Sequence, residues 1–125
     1  MTTTTKAWTA STAIMSAVQV AGSEQYTSDI DLETTGIEAV QVQITASFPG
    51  STDSLDWWIY GSLDGSSYDT VAMSSGRIAI VSGGTAVQSI LFDGLAHARL
   101  GAKRSGSTDS IATTMYWQGW YYSIA

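Results

Sequence analysis

The chain has 125 residues, of which 44% are hydrophobic and only 13% charged, and it carries a net charge of −6. That is the size of one domain with a substantial core, and five Trp and six Tyr exclude a disordered chain. The acidic balance opposes nucleic-acid binding, the absence of cysteine excludes a disulfide framework and a thiolate metal site, and no apolar run approaches the ~18 residues of a spanning helix.

Residues 1–10 read as an extended arm, a threonine run with Lys6 and Trp8 and without the apolar stretch of a secretion signal. Trp8 is a candidate anchor for that arm on a neighbouring subunit, since Trp is enriched at interface hot spots. Residues 11–125 read as one β domain. A strand is expected over Ala13–Val20, and Tyr26–Glu33 alternates Ile30 and Leu32 against Asp29, Asp31 and Glu33. Ile37–Phe48 has the clearest period of two, with Val40, Val42, Ile44 and Ala46 on one face and Gln41, Gln43 and Thr45 on the other. Pro49-Gly50 ends it.

Leu55–Val71 is expected to be a hairpin turning at Asp64-Gly65. Its first arm puts Leu55, Trp57 and Ile59 on a core face, and Asp56, Trp58 and Tyr60 on a second face too aromatic to be simply solvated. Arg77–Val81 follows as a short strand, then a turn at Ser82-Gly83-Gly84. Thr85–Phe92 and Ala96–Arg104 are joined by Asp93-Gly94, expected to be a second hairpin, and Gly106–Asp109 is the last turn. The final strand, Ile111–Ile124, is long and aromatic, and Gly119 suggests a bend in it. Eight or nine strands with frequent turns and no amphipathic helix predict an all-β, single antiparallel β-sandwich of jelly-roll type.

No catalytic, cofactor or metal constellation emerges. His97 is the only histidine, and it sits in an alternating strand with Arg99 and Lys103 rather than beside a nucleophile on a sharp turn. Asp64 and Asp69 flank a turn without the spacing of a calcium loop, and Asp at a turn bonds its own backbone. Phosphate-binding glycine motifs are absent. Arg99, Lys103 and Arg104 hold most of the positive charge and could seat an acidic patch of a partner. The aromatic load exceeds what one core face of a small domain absorbs. A subunit interface, rich in Trp and Tyr and poor in charge, accounts for it best, and a sugar-binding platform is the rival. The interface candidates are Trp8, Trp58, Tyr60, Arg99, Lys103, Arg104, Trp120 and Tyr122.

Three segments, Trp58–Ser66, Leu95–Gly106 and Met115–Trp120, resemble small virion structural proteins of tailed bacteriophages. The turn Gly61-Ser62-Leu63-Asp64-Gly65-Ser66 is also similar to turns in other phage-encoded β-sandwiches and in discoidin-like binding modules. The resemblance implies a non-enzymatic capsid decoration (cement) protein, made in the host cytoplasm and carried on the capsid surface. It also implies the major capsid protein and neighbouring copies as partners, often in trimers, with an extended terminal arm. The alternative is a carbohydrate- or receptor-binding module of a tail or spike.

Overall fold

A computed structural model describes residues 4–34, 36–48, 54–79, 84–105 and 110–124. Among them are ten strands and no helix: β1 (Thr4–Trp8), β2 (Thr12–Val20), β3 (Gln25–Tyr26), β4 (Ile30–Asp31), β5 (Ala39–Ser47), β6 (Ser54–Ser62), β7 (Ser74–Ile78), β8 (Thr85–Asp93), β9 (His97–Ser105) and β10 (Ile111–Ile124). They make two antiparallel sheets. In the first, β10 lies between β5 and an outer row formed by β1 and β2, and β8 flanks β5 on the far side. In the second, β9 lies between β6 and an outer row formed by β3 and β4, and β7 flanks β6.

Alternating side chains build the core. Val40, Val42, Ile44 and Ala46 of β5 are fully buried, as the period-two pattern requires. They share one cluster with Leu55, Trp57 and Ile59 of β6 and with Ala98, Leu100 and Ala102 of β9, so the inner faces of both sheets close on a single apolar core. β10 adds Ile111 and Met115, with Trp117 and Tyr121 packed at the margin.

The two outer rows are each one run broken in the middle, and a threonine repairs each break in the same way. Thr27, between β3 and β4, donates its N–H to the Leu100 carbonyl (2.9 Å) and accepts the Leu100 N–H on Oγ1 (3.0 Å). Thr9, just past β1, donates to the Gly119 carbonyl (2.8 Å) and accepts the Gly119 N–H on Oγ1 (3.0 Å). A hydroxyl thereby satisfies a buried backbone donor that the interrupted strand abandons. These breaks raise the strand number to ten, above the expected eight or nine.

Other expectations are corrected. The strand pairing with β6 starts at Ser74 instead of Tyr68, because Leu63–Met73 forms a self-bonded loop that meets β6 only at separate points, the Ser62–Tyr68 bridge and the Asp69 and Met73 N–H groups on the Gly61 and Ile59 carbonyls. Asp64 Oδ1 accepts the N–H groups of Ser66 and Ser67 (both 2.9 Å), an Asx turn that curls the chain before it can pair. Asp93-Gly94 is a corner between sheets, since β8 pairs with β5 and β9 with β6. Gly94 still takes the left-handed conformation, at φ 78°. Gly119 does not mark the irregularity of β10. The register shifts against β2 fall between Thr113 and Tyr116, whereas Gly119 allows close approach: a Cβ there would lie 2.7 Å from Ile37 Cγ2. Residues 4–8 of the expected arm form β1, lying along the end of β10. The turns expected at Pro49-Gly50, Ser82-Gly83 and Gly106–Asp109 lie outside the described residues.

Candidate functional site

The outer faces of the two sheets differ in chemistry. On the first sheet, register places Gln118, Gln41 and Leu91 in one row, Tyr116, Gln43 and Ser89 in the next, and Thr114, Thr45 and Val87 beyond them. None of these nine is charged. Leu91 is 67% exposed and Val87 58%, and Tyr116 is also exposed. Ser11, Gln41, Gln43, Tyr116, Trp117 and Gln118 line a shallow cleft of about 260 Å³. Gln41 donates to Ser89 Oγ (3.1 Å) and Gln118 to the Thr9 carbonyl (2.9 Å), which fixes both amides.

At one corner of this face, Trp8 and Trp120 oppose each other across β1 and β10, with ring centroids 5.1 Å apart at 59°. Lys6 Nζ lies 4.4 Å from the centre of Trp120 and 5.1 Å from that of Trp8, a cation over two electron-rich rings. Tyr122, directly across from Lys6, is 57% exposed.

The outer face of the second sheet is polar and titratable. The Arg99 guanidinium lies between two tyrosine rings, 3.9 Å from the centre of Tyr26 and 4.2 Å from that of Tyr68. Glu24 lies over Gly101, accepting the Tyr60 hydroxyl on Oε1 (2.8 Å) and the Tyr26 hydroxyl on Oε2 (3.2 Å). Burial first, and then Glu24, pushes the Tyr60 phenol up to about 12. Tyr68 donates to Asp29 Oδ1; burial, followed by that carboxylate, pushes it up to about 12 as well. His97 Nδ1 bonds Asp29 Oδ2 (2.8 Å), with Glu33 Oε2 3.6 Å from Nε2. The Asp29 hydrogen bond raises the imidazole pKa above its ordinary value. Asp56 and Arg77 pair at 2.6 Å across β6 and β7.

The chain matches no protein-family model and no curated protein.

The eight interface candidates therefore divide between opposite sides of the molecule. Trp8, Trp120 and Tyr122 meet at the corner of the first sheet. Trp58, Tyr60, Arg99 and Lys103 share the outer face of the second, where Trp58 pairs with Gly101, Tyr60 with Arg99 and Lys103 with Asp56. Arg104 falls on the opposite parity, across from Leu55, and its guanidinium turns toward Gly22. Sequence reasoning passed over Gln41, Gln43 and Gln118 as ordinary outward polar positions; their signal was that every outward residue from Gln41 to Thr45 is uncharged. It also missed the Arg99–Tyr26–Tyr68 stack, which joins segments far apart in the chain. Among the described residues, no group of three His, Cys, Asp or Glu could hold a metal ion, and no helix is long and apolar enough to cross a membrane.

Proposed function

We propose that this protein is a non-enzymatic structural component of a virus particle, a decoration protein that binds the outside of an assembled capsid and stabilises it. The observation that carries this reading is the outer face of the first sheet, whose nine central positions carry no charge and on which Trp8, Tyr116, Tyr122, Val87 and Leu91 are exposed. Charged groups are depleted and aromatics enriched at the centres of protein interfaces, and a solvated sheet face of a monomer would carry Lys and Glu at these positions.

The strand order supports the same reading. With β1 and β2 counted as one run, and β3 and β4 as another, the described strands form eight runs in two sheets, an arrangement that supports a jelly-roll sandwich. Such a rigid domain needs no catalytic group. By binding the assembled lattice and not free coat subunits, it shifts the equilibrium toward the lattice by mass action. Its partner is then the major capsid protein, its location the virion surface, and its site of synthesis the host cytoplasm.

The test is the copy number of this chain in purified particles, measured against the major coat protein. Hundreds of copies in simple ratio to coat would support decoration, a handful would move the protein to tail or neck, and none would end the reading. A second reading, a carbohydrate-binding module, is favoured by the cleft of glutamines beside Tyr116, where amides could pair with hydroxyls and the ring could stack on a sugar face. Glycan-array binding abolished by Tyr116→Ala would favour it, and an array without signal would remove it.

A further inference from the structure

Every open sheet has edges, and this molecule guards all of its described edges but one. Lys6 charges β1, and β2 carries two register shifts and Ala17 at φ 48°. β3 and β4 are two residues each, and β7 has five, with Arg77 held by Asp56. Charge, bulges and shortness are the means by which an edge strand refuses a stranger. β8 uses none of them over its first eight residues, and its one charge, Asp93, stands at the very end. It is nine residues long, keeps an unbroken register with β5, and has no charge, proline or glycine from Thr85 to Phe92.

The free backbone groups of β8 can be assigned. The Phe48 N–H donates to the Gly84 carbonyl (2.9 Å), in register with the ladder between β5 and β8. Since antiparallel hydrogen bonding alternates along a strand, even-numbered residues of β8 bond to β5. Thr85, Val87, Ser89 and Leu91 therefore direct their N–H and C=O groups away from the sheet. No backbone hydrogen bond among the described residues takes them.

We propose that β8 pairs antiparallel with β8 of a second copy about a two-fold axis at Ser89, joining the first sheets of two molecules into one. The strand is self-complementary in that register. Val87 faces Leu91 of the second copy, and by symmetry Leu91 faces Val87, which pairs the two most exposed apolar side chains of the strand. Ala86 meets Phe92, Gln88 meets Ile90, and Asp93 meets Thr85, so no like charges oppose. Both outer faces then lie on the same side of the joined sheet. The pairing does not depend on the capsid reading, and it specifies a two-fold contact where the phage resemblance implies three-fold ones.

The test is the solution mass by light scattering over a wide concentration range, with amide hydrogen exchange on the same samples. The wild-type chain should have twice its 13.2 kDa chain mass, with the amides of Val87, Ser89 and Leu91 protected. Leu91→Lys places a charge at an exposed edge position. Val87→Pro removes an outward N–H without touching the β5 ladder, the placement that edge strands tolerate. Both variants should return to the single-chain mass, expose those amides and still unfold cooperatively. Tyr116→Lys, on the same face but two strands inward, should remain a dimer. A wild-type monomer, a three-fold mass with those amides unprotected, or a dimer that survives both edge variants would overturn the proposal.

Discussion

Replacing Gly76 by alanine sets one methyl group against the indole of Trp57. The two residues are a direct cross-strand pair, and a Cβ at Gly76 would lie 2.4 Å from Cζ2, 2.6 Å from Cε2 and 2.9 Å from Nε1 of Trp57. Either the ring or the strand must move. Trp57 is only 5% exposed and sits in the shared core, so the ring has nowhere to go. Overpacking of this kind costs about 1–3 kcal/mol. Alanine returns about 0.5–1 kcal/mol by its lower entropy loss in a strand, and β7, a short edge strand, can slide outward. The net expectation is destabilisation by about 1 kcal/mol, or about 4 °C in Tm for a domain of this size. Urea unfolding of a double-mutant cycle with Trp57→Phe isolates the cause. Phenylalanine lacks the clashing Nε1–Cζ2 edge of the indole and with it an N–H that is buried without a partner. In that background Gly76→Ala should be neutral or slightly stabilising, giving a coupling of about 1–2 kcal/mol. An equal cost in both backgrounds, or none in the wild type, would refute the steric account.

Further expectations follow from the second face and the corner. The Asp29 hydrogen bond holds the His97 pKa above its ordinary 6.5, so its stabilisation is complete below pH 6.5 and fades as pH rises through the folded value. Thermal melts should show that fall, and Asp29→Asn should flatten it. Ultraviolet titration should find Tyr60 and Tyr68 ionising at about 12, and Glu24→Gln should lower Tyr60 while leaving Tyr68 in place. Trp8→Ala removes the ring pair with Trp120 and should cost about 0.5–1.5 kcal/mol beyond lost area, with unfolding still cooperative; a second transition at low denaturant would show that β1 melts separately.

The strands that read well from the sequence are those whose two sides meet different solvents. β5 alternates Val and Gln because one face packs in the core and the other does not, and β6 buries Leu55, Trp57 and Ile59 for the same reason. Asp-Gly marks a place where the chain reverses, but the dipeptide carries no information about which sheet the next strand joins, so Asp93-Gly94 looks like a hairpin and is a corner. The threonine repairs at Thr9 and Thr27 were invisible among many threonines, because only the partner backbones at Gly119 and Leu100 give them meaning. For the candidate site, the aromatic excess was legible residue by residue, while its division between two faces was not. Trp120 and Trp58 look alike in the chain, and only the register of β10 with β1 and of β6 with β9 places them on opposite sides.

The pairing of Thr4 with Ile124 places the first and last described residues side by side at one end of the same ladder. Whatever chain continues from either point leaves from a single spot, so the domain can be inserted into, or fused with, another polypeptide without spanning its own width. The same geometry sets its response to force. A pull between those two residues loads the β1–β10 ladder as a zipper, opening one hydrogen bond after another from Thr4 toward Trp8. A pull between residue 4 and the far end of the sheets would shear the whole ladder at once. A given force would therefore strain this domain very differently according to which two of its points were held.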